Sequence, residues 1–227
     1  MVAMSGERSS SSSSTLILGT RGVRAHHRHL MRDLLRLMPH GRSAGKISAE
    51  GGLQEAVQLS EEANCQSALL LDARDPRQLY LWAAGCPSGP SAMFRVLNVH
   101  TVAELKFGAR RVAGVRSLLA FDRAFEASAE RRVLKALLCR TLGVPRKAVK
   151  RVRAREDGDA PLVERIKHTL CFSWLDDRIW LRVYRIGRNK AGSMDVEEIG
   201  PRLVLQPIRI IASGFEGAVL HSNEQSG

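Results

Sequence analysis

The side chains in this sequence that could do chemistry are cations, and they are concentrated in two short segments. Residues 21–46 hold seven Lys or Arg side chains against one acid, and residues 145–155 hold six against none. Together they carry +12, which is the whole formal net charge of the chain. Charge placed so unevenly needs an anionic partner, and nucleic acid is the commonest polyanion for a soluble chain. These cations therefore indicate that the chain binds a polyanion, and they indicate no chemical reaction.

The arginines of the first segment recur every four residues, at Arg24, Arg28, Arg32 and Arg36. On a helix this spacing confines them to an arc of about 120°, and most apolar residues of the stretch fall on the opposite side. Ordinary solvated faces mix Glu with Lys or Arg, because like charges four residues apart destabilise a helix. The pattern therefore favours a face that binds anions over one that is merely solvated.

Motifs typical of enzymes and metal sites are lacking. The chain has no GxxxxGK[ST] phosphate loop, no GxGxxG after a strand and no GxSxG nucleophile elbow. His26, His27 and His29 have no carboxylate or Cys at a complementary spacing, so we expect solvated or phosphate-contacting side chains. The four cysteines form no CxxC pair and are expected to be buried, reduced thiols. We expect a protein with no catalytic activity, no cofactor and no metal.

Composition sets the expected boundaries of the domain. The serine run at 9–14 cannot bury apolar surface, so residues 1–14 are expected to form a disordered tail. No apolar run is long enough to span a membrane, and no secretory signal opens the chain. We expect a soluble, intracellular protein.

Apolar patterning predicts a mixture of strands and helices. Strands are predicted at 15–18, 68–71, 92–99, 117–122, 167–175, 178–186 and 198–205. Helices are predicted at about 24–38, 75–82, 101–105 and 128–142, and residues 46–64 are compatible with a helix in part. The strand and helix at 15–38 resemble those at 117–142 at an offset of about 102 residues. These two short matches are consistent with an internal duplication or with chance.

Aromatic residues are too few for base stacking to be a distributed mechanism, since they make up 5% of the chain. No RNP-type strand motif or zinc finger is present. Recognition of nucleic acid should therefore rely on phosphates and on RNA shape, with a steep dependence on salt.

Short motifs along the chain resemble, in order, those of the Brix domain family of ribosome-assembly factors. They cover most of residues 15–220 and look most like the founding member of that family. The motifs are TLILGTRG at 15–22, HLMRDL at 29–34, LMPH at 37–40, LYLW at 79–82, GPSAxF at 89–94, NVHTVAELK at 98–106, LAFDxxF at 119–125, DRIWxR at 177–182 and EIGPRxVL at 198–205.

The resemblance implies an α/β domain at 15–220 made of two similar halves, at about 15–110 and 111–220. Such a domain resembles the anticodon-binding domain of class II aminoacyl-tRNA synthetases. The basic stretch at 145–160 departs from the family pattern, and residues 221–227 are expected to form a short tail. The family's Thr/Ser-Arg motif falls on Thr20-Arg21 and its Gly-Pro-Arg motif on Gly200-Pro201-Arg202. For the second motif, RNA binding and a simple turn with a packed or solvated Arg202 both remain open.

The resemblance also implies a nucleolar, non-catalytic scaffold for large ribosomal subunit assembly and rRNA processing. Its implied ligand is the ribosomal RNA of large-subunit precursors, and its implied partners are other assembly factors, including a helical EBNA-binding-protein homologue. The predicted RNA contacts are Arg21, Arg24, Arg28, Arg32, Arg36, Lys147, Lys150, Arg151, Arg153, Arg155 and Arg202.

Three alternatives remain open from the sequence. The chain could be a protein-binding scaffold whose basic faces meet acidic assembly factors, with RNA contact incidental. It could also bind tRNA, as an anticodon-binding domain does. Finally, residues 146–155 could serve nuclear import instead of RNA binding.

Overall fold

The computed structural model describes residues 14–48, 52–106, 116–145, 167–188, 193–215 and 217–223. The strands are β1 (Thr15–Thr20), β2 (Gly41–Ile47), β3 (Ser67–Asp72), β4 (Leu79–Gly85), β5 (Ser91–His100), β6 (Ser117–Phe121), β7 (His168–Leu175), β8 (Arg178–Arg188), β9 (Met194–Glu198), β10 (Arg202–Ile211) and β11 (Val219–Ser222). The helices are α1 (Ala25–Leu37), α2 (Gly52–Glu62), α3 (Val102–Leu105) and α4 (Ala129–Leu142), and a 3₁₀ turn spans Arg123–Glu126.

The described strands form one mixed sheet in the order β2-β1-β3-β4-β5-β10-β8-β7-β6, with β9 added to β8 and β11 to β10. The antiparallel pair β5–β10 lies at its centre. On one side β1 pairs in parallel with β3, which continues antiparallel through β4 to β5. On the other side β6 pairs in parallel with β7, which continues antiparallel through β8 to β10. This repetition confirms an α/β fold of two similar halves.

Hydrogen bonds tie each half to the helix of the other. The first residue of β1, Thr15, donates from its Oγ1 to the Thr141 carbonyl of α4 at 2.8 Å. The first residue of β6, Ser117, donates from its Oγ to the Leu37 carbonyl of α1 at 3.2 Å. In addition, α4 packs on β3, β4 and β5 of the first half. The two halves therefore share a core.

The sheet is covered unequally on its two faces. Apolar residues of α1 and α4, such as Leu34 and Leu137, join one core with Ile17 of β1 and Leu170 of β7. On the opposite face, α2 covers only the strands of the first half. Because β1 is covered on both faces, all six of its residues are buried, which explains its continuous apolar run.

The prediction and the structure differ at three elements. The helix predicted at 75–82 is wrong, because Leu79–Gly85 pairs with β3 and β5 as strand β4. The strand predicted at 198–205 is divided, since Gly200 adopts φ +67° between β9 and β10. Strand β2 was not predicted, because its glycines and polar residues hide the extended pattern.

Smaller corrections concern the ends of the domain and one cysteine. Ser14 is buried and its carbonyl accepts from the Gln66 amide, so the described domain includes this residue, while residues 1–13 lie outside the described part. Strand β11 reaches Ser222, within the stretch predicted as a tail. All four cysteines are free, but Cys139 is exposed because the buried face of α4 runs through its leucines and Thr141. No helix in the described ranges is long and apolar enough to cross a membrane.

Candidate nucleic-acid interface

Helix α1 presents its arginines to solvent, as the four-residue spacing predicts. Its apolar side chains Leu30, Leu34 and Leu37 are buried in the core. Its basic side chains are exposed on the other side. We call this exposed surface the arginine face, and it consists of Arg21, Arg24, Arg28, Arg32 and Arg36.

The loop before α1 is fixed by contacts with the segment after β3. The Thr20 hydroxyl is fully buried and accepts from the Ala73 amide at 2.9 Å. Gly22 approaches the same segment so closely that a Cβ there would lie 2.0 Å from the Ala73 carbonyl oxygen. In the Thr20-Arg21 motif the threonine therefore supports the structure, and it leaves Arg21 exposed at the entrance to α1.

The N-terminus of α1 is electropositive. Its first turn contains no acidic residue, so the positive end of the helix dipole is left uncompensated. His27 accepts the Arg24 amide through Nδ1 at 3.3 Å. Burial, followed by the charges of His26 and Arg24, lowers the pKa of His27 to about 4. The expectation of a solvated or phosphate-contacting His27 is therefore wrong, because this ring is buried as part of the helix cap.

The first three arginines of α1 are oriented by carbonyl groups. Arg24 donates to the Pro76 carbonyl at 2.9 Å, and Arg28 to the Val23 carbonyl at 3.0 Å. Arg32 makes a longer bond of 3.4 Å to the Arg28 carbonyl. A carbonyl orients a guanidinium without neutralising it. Among the described residues, none of these three forms an ion pair with a carboxylate, so their charges remain available to an anion.

Arg36 differs from the other arginines of α1. Its Nη1 lies 3.2 Å from Oδ1 of Asp33, the one acid of the basic segment. Asp33 is buried, and its Oδ2 accepts the Val102 amide at the start of α3 at 2.9 Å. Burial raises the pKa of Asp33, while the Val102 amide and Arg36 oppose that shift. This acid joins α1 to α3, and Arg36 is the one residue of the arginine face with which it forms an ion pair.

A groove between α1 and β2 extends the arginine face. Arg28, Arg32 and Lys46 line it, and Met31 and Leu35 are among its apolar lining residues. Its volume is about 320 Å³. Lys46 was counted in the basic segment but not among the predicted contacts, because its position beside α1 depends on strand β2. Recognising 41–47 as an edge strand, with Lys46 directly before the buried Ile47, would have revealed it.

The structure does not bring Arg202 to the arginine face. Arg202 lies on the sheet face opposite α1, where its Nε and Nη2 donate to both carboxylate oxygens of Glu198. Gly200 packs against α3, since a Cβ there would lie 2.7 Å from Cδ1 of Leu105. These contacts favour the structural interpretation of the Gly-Pro-Arg motif.

The second predicted contact lies outside the described residues. It comprises Lys147, Lys150, Arg151, Arg153 and Arg155. Within the described ranges, no group of three His, Cys, Asp or Glu side chains could hold a metal ion.

Comparisons with known proteins agree on a single family. The family model of the Brix domain matches residues 20–209. The ribosome biogenesis protein BRX1 of Saccharomyces cerevisiae is 37% identical over 220 residues, which cover 93% of this chain and 72% of that protein. The BRX1 homologues of Xenopus laevis and Homo sapiens are 38% and 37% identical over 92% of this chain. The chain spans 57% and 55% of the length of those two relatives.

A solved structure supports the fold independently. The crystal structure of a probable ribosomal biogenesis protein from Aeropyrum pernix K1 aligns with a TM-score of 0.57 at 13% identity. The alignment covers 86% of this chain and 96% of the archaeal one. At this identity the likeness concerns the fold alone. The match of the family model and the identity to the BRX1 proteins show that the chain belongs to the Brix domain family.

Proposed function

We propose that this chain acts in ribosome biogenesis as a non-catalytic factor that binds ribosomal RNA of large-subunit precursors through the arginine face. Three guanidinium groups of α1 carry the proposal, because each is exposed and forms no ion pair with a described carboxylate. Arginine is well suited to phosphate, since its planar fork donates two parallel hydrogen bonds. The relatives of this chain are named ribosome biogenesis proteins. In that process, the phosphates that such arginines would bind are those of RNA.

The geometry of α1 explains how the arginine face could fix the position of the protein on an RNA. A helix whose opposite side is buried in the core cannot rotate, so its arginines keep fixed spacings that can match phosphates along an RNA backbone. Contacts of this kind fix the register of a protein on RNA without reading bases. We propose that the second basic segment, residues 147–155, adds affinity.

The remaining features of the proposal follow from the family. We propose that the factor acts in the nucleolus as a scaffold in rRNA processing. Its proposed protein partners are other assembly factors, including a helical EBNA-binding-protein homologue.

The proposal is tested by crosslinking the full chain to precursor RNA in cells. Arg28→Glu with Arg32→Glu should remove most RNA crosslinks while assembly factors still co-purify with the chain. Loss of the assembly factors with RNA crosslinks intact would instead support a protein-binding scaffold, and efficient competition by tRNA would support a tRNA-binding domain. Arg28→Lys with Arg32→Lys is the matched control, since it keeps the charge.

A further inference from the structure

The second half of the sheet has an open face on the side opposite α1 and α4. We call it the open face, and it consists of outward side chains of β6, β7 and β8. Its residues are Leu118, Ala120, Thr169, Cys171, Ser173, Leu175, Arg178, Trp180, Arg182 and Tyr184. Leu118 is 46% exposed and Leu175 is 56% exposed, although both belong to paired strands. By the strand register, Leu118 lies beside Thr169 and Leu175 beside Arg178, at the two ends of β7. Exposed apolar side chains along one sheet face are typical of an interaction site.

The first half indicates what kind of element fits such a face. By the strand register, Leu118 of β6 is equivalent to Leu16 of β1, since each follows the first paired residue of its half. Leu16 is only 1% exposed, because α2 covers it, whereas Leu118 is open. Cys171 is likewise half-buried where its equivalent Leu70 is completely buried. The same architecture thus carries a helix on one half and none among the described residues on the other.

Helix α2 shows the chemistry of that covering element. Its apolar residues Leu53, Val57 and Leu59 pack toward the sheet, and Ala56 is completely buried. The helix contains no basic residue and has Glu61 and Glu62 exposed in its last turn. A short amphipathic helix with acidic residues therefore fits this type of sheet surface.

The charge of the open face favours a binding partner with acidic side chains. Arg182 and Arg202 share one acid, Glu198, at 3.9 Å and through a bidentate contact respectively. Arg178 is exposed on the same face of β8 as Arg182, and Arg95 of β5 also lies on this face of the sheet. The described cations thus outnumber the acids. A second copy of this chain, with net charge +12, would be repelled. So would residues 146–166, which hold seven Lys or Arg against four acids.

We propose that the open face docks an amphipathic helix from a partner protein, with acidic side chains beside its apolar stripe. Leu118 and Leu175 bury against that stripe, and Arg178 and Arg182 meet the acids. RNA suits this face less well, because its exposed apolar side chains Leu118 and Leu175 are aliphatic and the Arg182 guanidinium already lies 5.2 Å from the ring centroid of Trp180. This site lies on the sheet face opposite α1 and is independent of the arginine face.

The proposal is tested with a photocrosslinking amino acid placed at Ser173 of the full chain in cells. The control position is Ala136, which is exposed on α4. We expect an RNase-resistant adduct at Ser173, absent at Ala136, whose sequenced peptide comes from a partner and forms an acidic amphipathic helix. Each of four results would overturn the proposal: an RNA adduct, an internal adduct with residues 146–166, an adduct with a second copy, or no adduct above the Ala136 level.

Two substitutions in the same crosslinking chain identify the contacts. Leu118→Glu should lower the yield of the Ser173 adduct about tenfold or more, since it replaces a leucine that the docked helix would bury with a charge facing that helix's acids. Arg178→Glu is a second variant at an exposed position where folding is not at risk, and it should lower the yield severalfold. RNA crosslinks of the arginine face should be unchanged in both. An undiminished adduct in both variants would contradict the proposal.

Discussion

Helices α1 and α4 follow the first strand of their respective halves, yet they use their basic residues differently. In α1 the exposed arginines bond to carbonyls or, for Arg36 alone, to a carboxylate on the same helix. In α4, Lys135 pairs with Glu126, and Arg131 pairs with Asp177 at 3.3 Å while lying over the ring of Trp174. Ion pairs thus hold two of the four cations of α4, while Arg132 and Arg140 bond to carbonyls. On α1 an ion pair holds Arg36 alone.

If ion pairing decides whether a basic helix can bind an anion, the contrast between the helices predicts that they contribute unequally to RNA binding. Arg140 of α4 illustrates the structural use, because it donates to the Gly89 and Gln66 carbonyls and joins α4 to the first half. Its two bonds reach separate loops of the first half, whereas Arg28 and Arg32 each have one described bond, to the backbone of α1 or of the loop that precedes it. We therefore expect RNA affinity to follow α1 and to be insensitive to α4.

The largest expected effect comes from reversing charge on α1. Arg28→Glu with Arg32→Glu should weaken binding to a structured rRNA fragment about a hundredfold, if each lost charged hydrogen bond is worth about 1.5 kcal/mol. The matched change on α4, Arg132→Glu with Lys135→Glu, should alter the Kd by no more than about threefold. Titrations of labelled RNA measure both values.

Folding of each variant is checked by its thermal melt. Equal losses of affinity for the two pairs would show that total charge, and not the arginine face, determines binding. Such a result would remove the distinction between the helices.

The second prediction concerns the acid buried beneath the arginine face. Asp33→Ala should lower the free energy of unfolding by about 1–3 kcal/mol, because the Val102 amide loses its partner in a buried site. Glu130→Ala on α4 should change it by less than about 0.5 kcal/mol, since such changes away from buried networks are mild. Urea unfolding curves give both values, and a larger cost for Glu130→Ala would reverse the comparison.

The sequence predicted the local features of this contrast and missed the distant ones. Spacing alone placed the α1 arginines outward, because helix geometry depends only on neighbours along the chain. The ion pair between Arg131 and Asp177 depends on contacts between segments far apart in the sequence. The position of Lys46 in the groove beside α1 likewise depends on how β2 pairs in the sheet. For the same reason Leu79–Gly85 was mistaken for a helix, because its two strand partners override its local preference.

The third prediction concerns how a fall in pH affects the first turns of α1 and α4. The cap of α1 includes His27, whose pKa is lowered to about 4, whereas Ser128 caps α4 through its hydroxyl. Because the unfolded His27 takes up a proton at higher pH than the folded one, its contribution is complete above about pH 6.5 and is lost as the pH falls toward 4. Amide exchange should therefore accelerate in the first turn of α1 before that of α4.

His27→Gln provides the control for the acid experiment. This substitution should abolish the difference in amide exchange between the first turns of α1 and α4 from about pH 6.5 to 4, since glutamine does not titrate. The raised pKa of Asp33 acts in the opposite direction, but it is common to both chains and cancels in the comparison. Equal acid sensitivity of α1 and α4 in the unsubstituted chain would contradict this explanation.

The smallest expected effect separates arginines within α1. Arg36→Ala should weaken RNA binding only about two- to threefold, because Arg36 must leave Asp33 to meet a phosphate. Arg32→Ala should weaken it about tenfold, as its described hydrogen bond is a long one to a carbonyl. Arg202→Ala should resemble Arg36→Ala, because Glu198 holds its guanidinium. A larger loss at Arg36 or Arg202 than at Arg32 would contradict the pairing argument.

The most direct test of the central claim is the salt dependence of RNA binding by the α1 and α4 variants. If six to ten phosphates are engaged, the affinity of the unsubstituted chain should fall about 10³- to 10⁵-fold between 50 and 200 mM salt. The slope of log K against log salt should become shallower by about two for the Arg28/Arg32 variant and should not change for the Arg132/Lys135 variant. A flat response of the unsubstituted chain, or the same slope for both variants, would contradict binding through the arginine face.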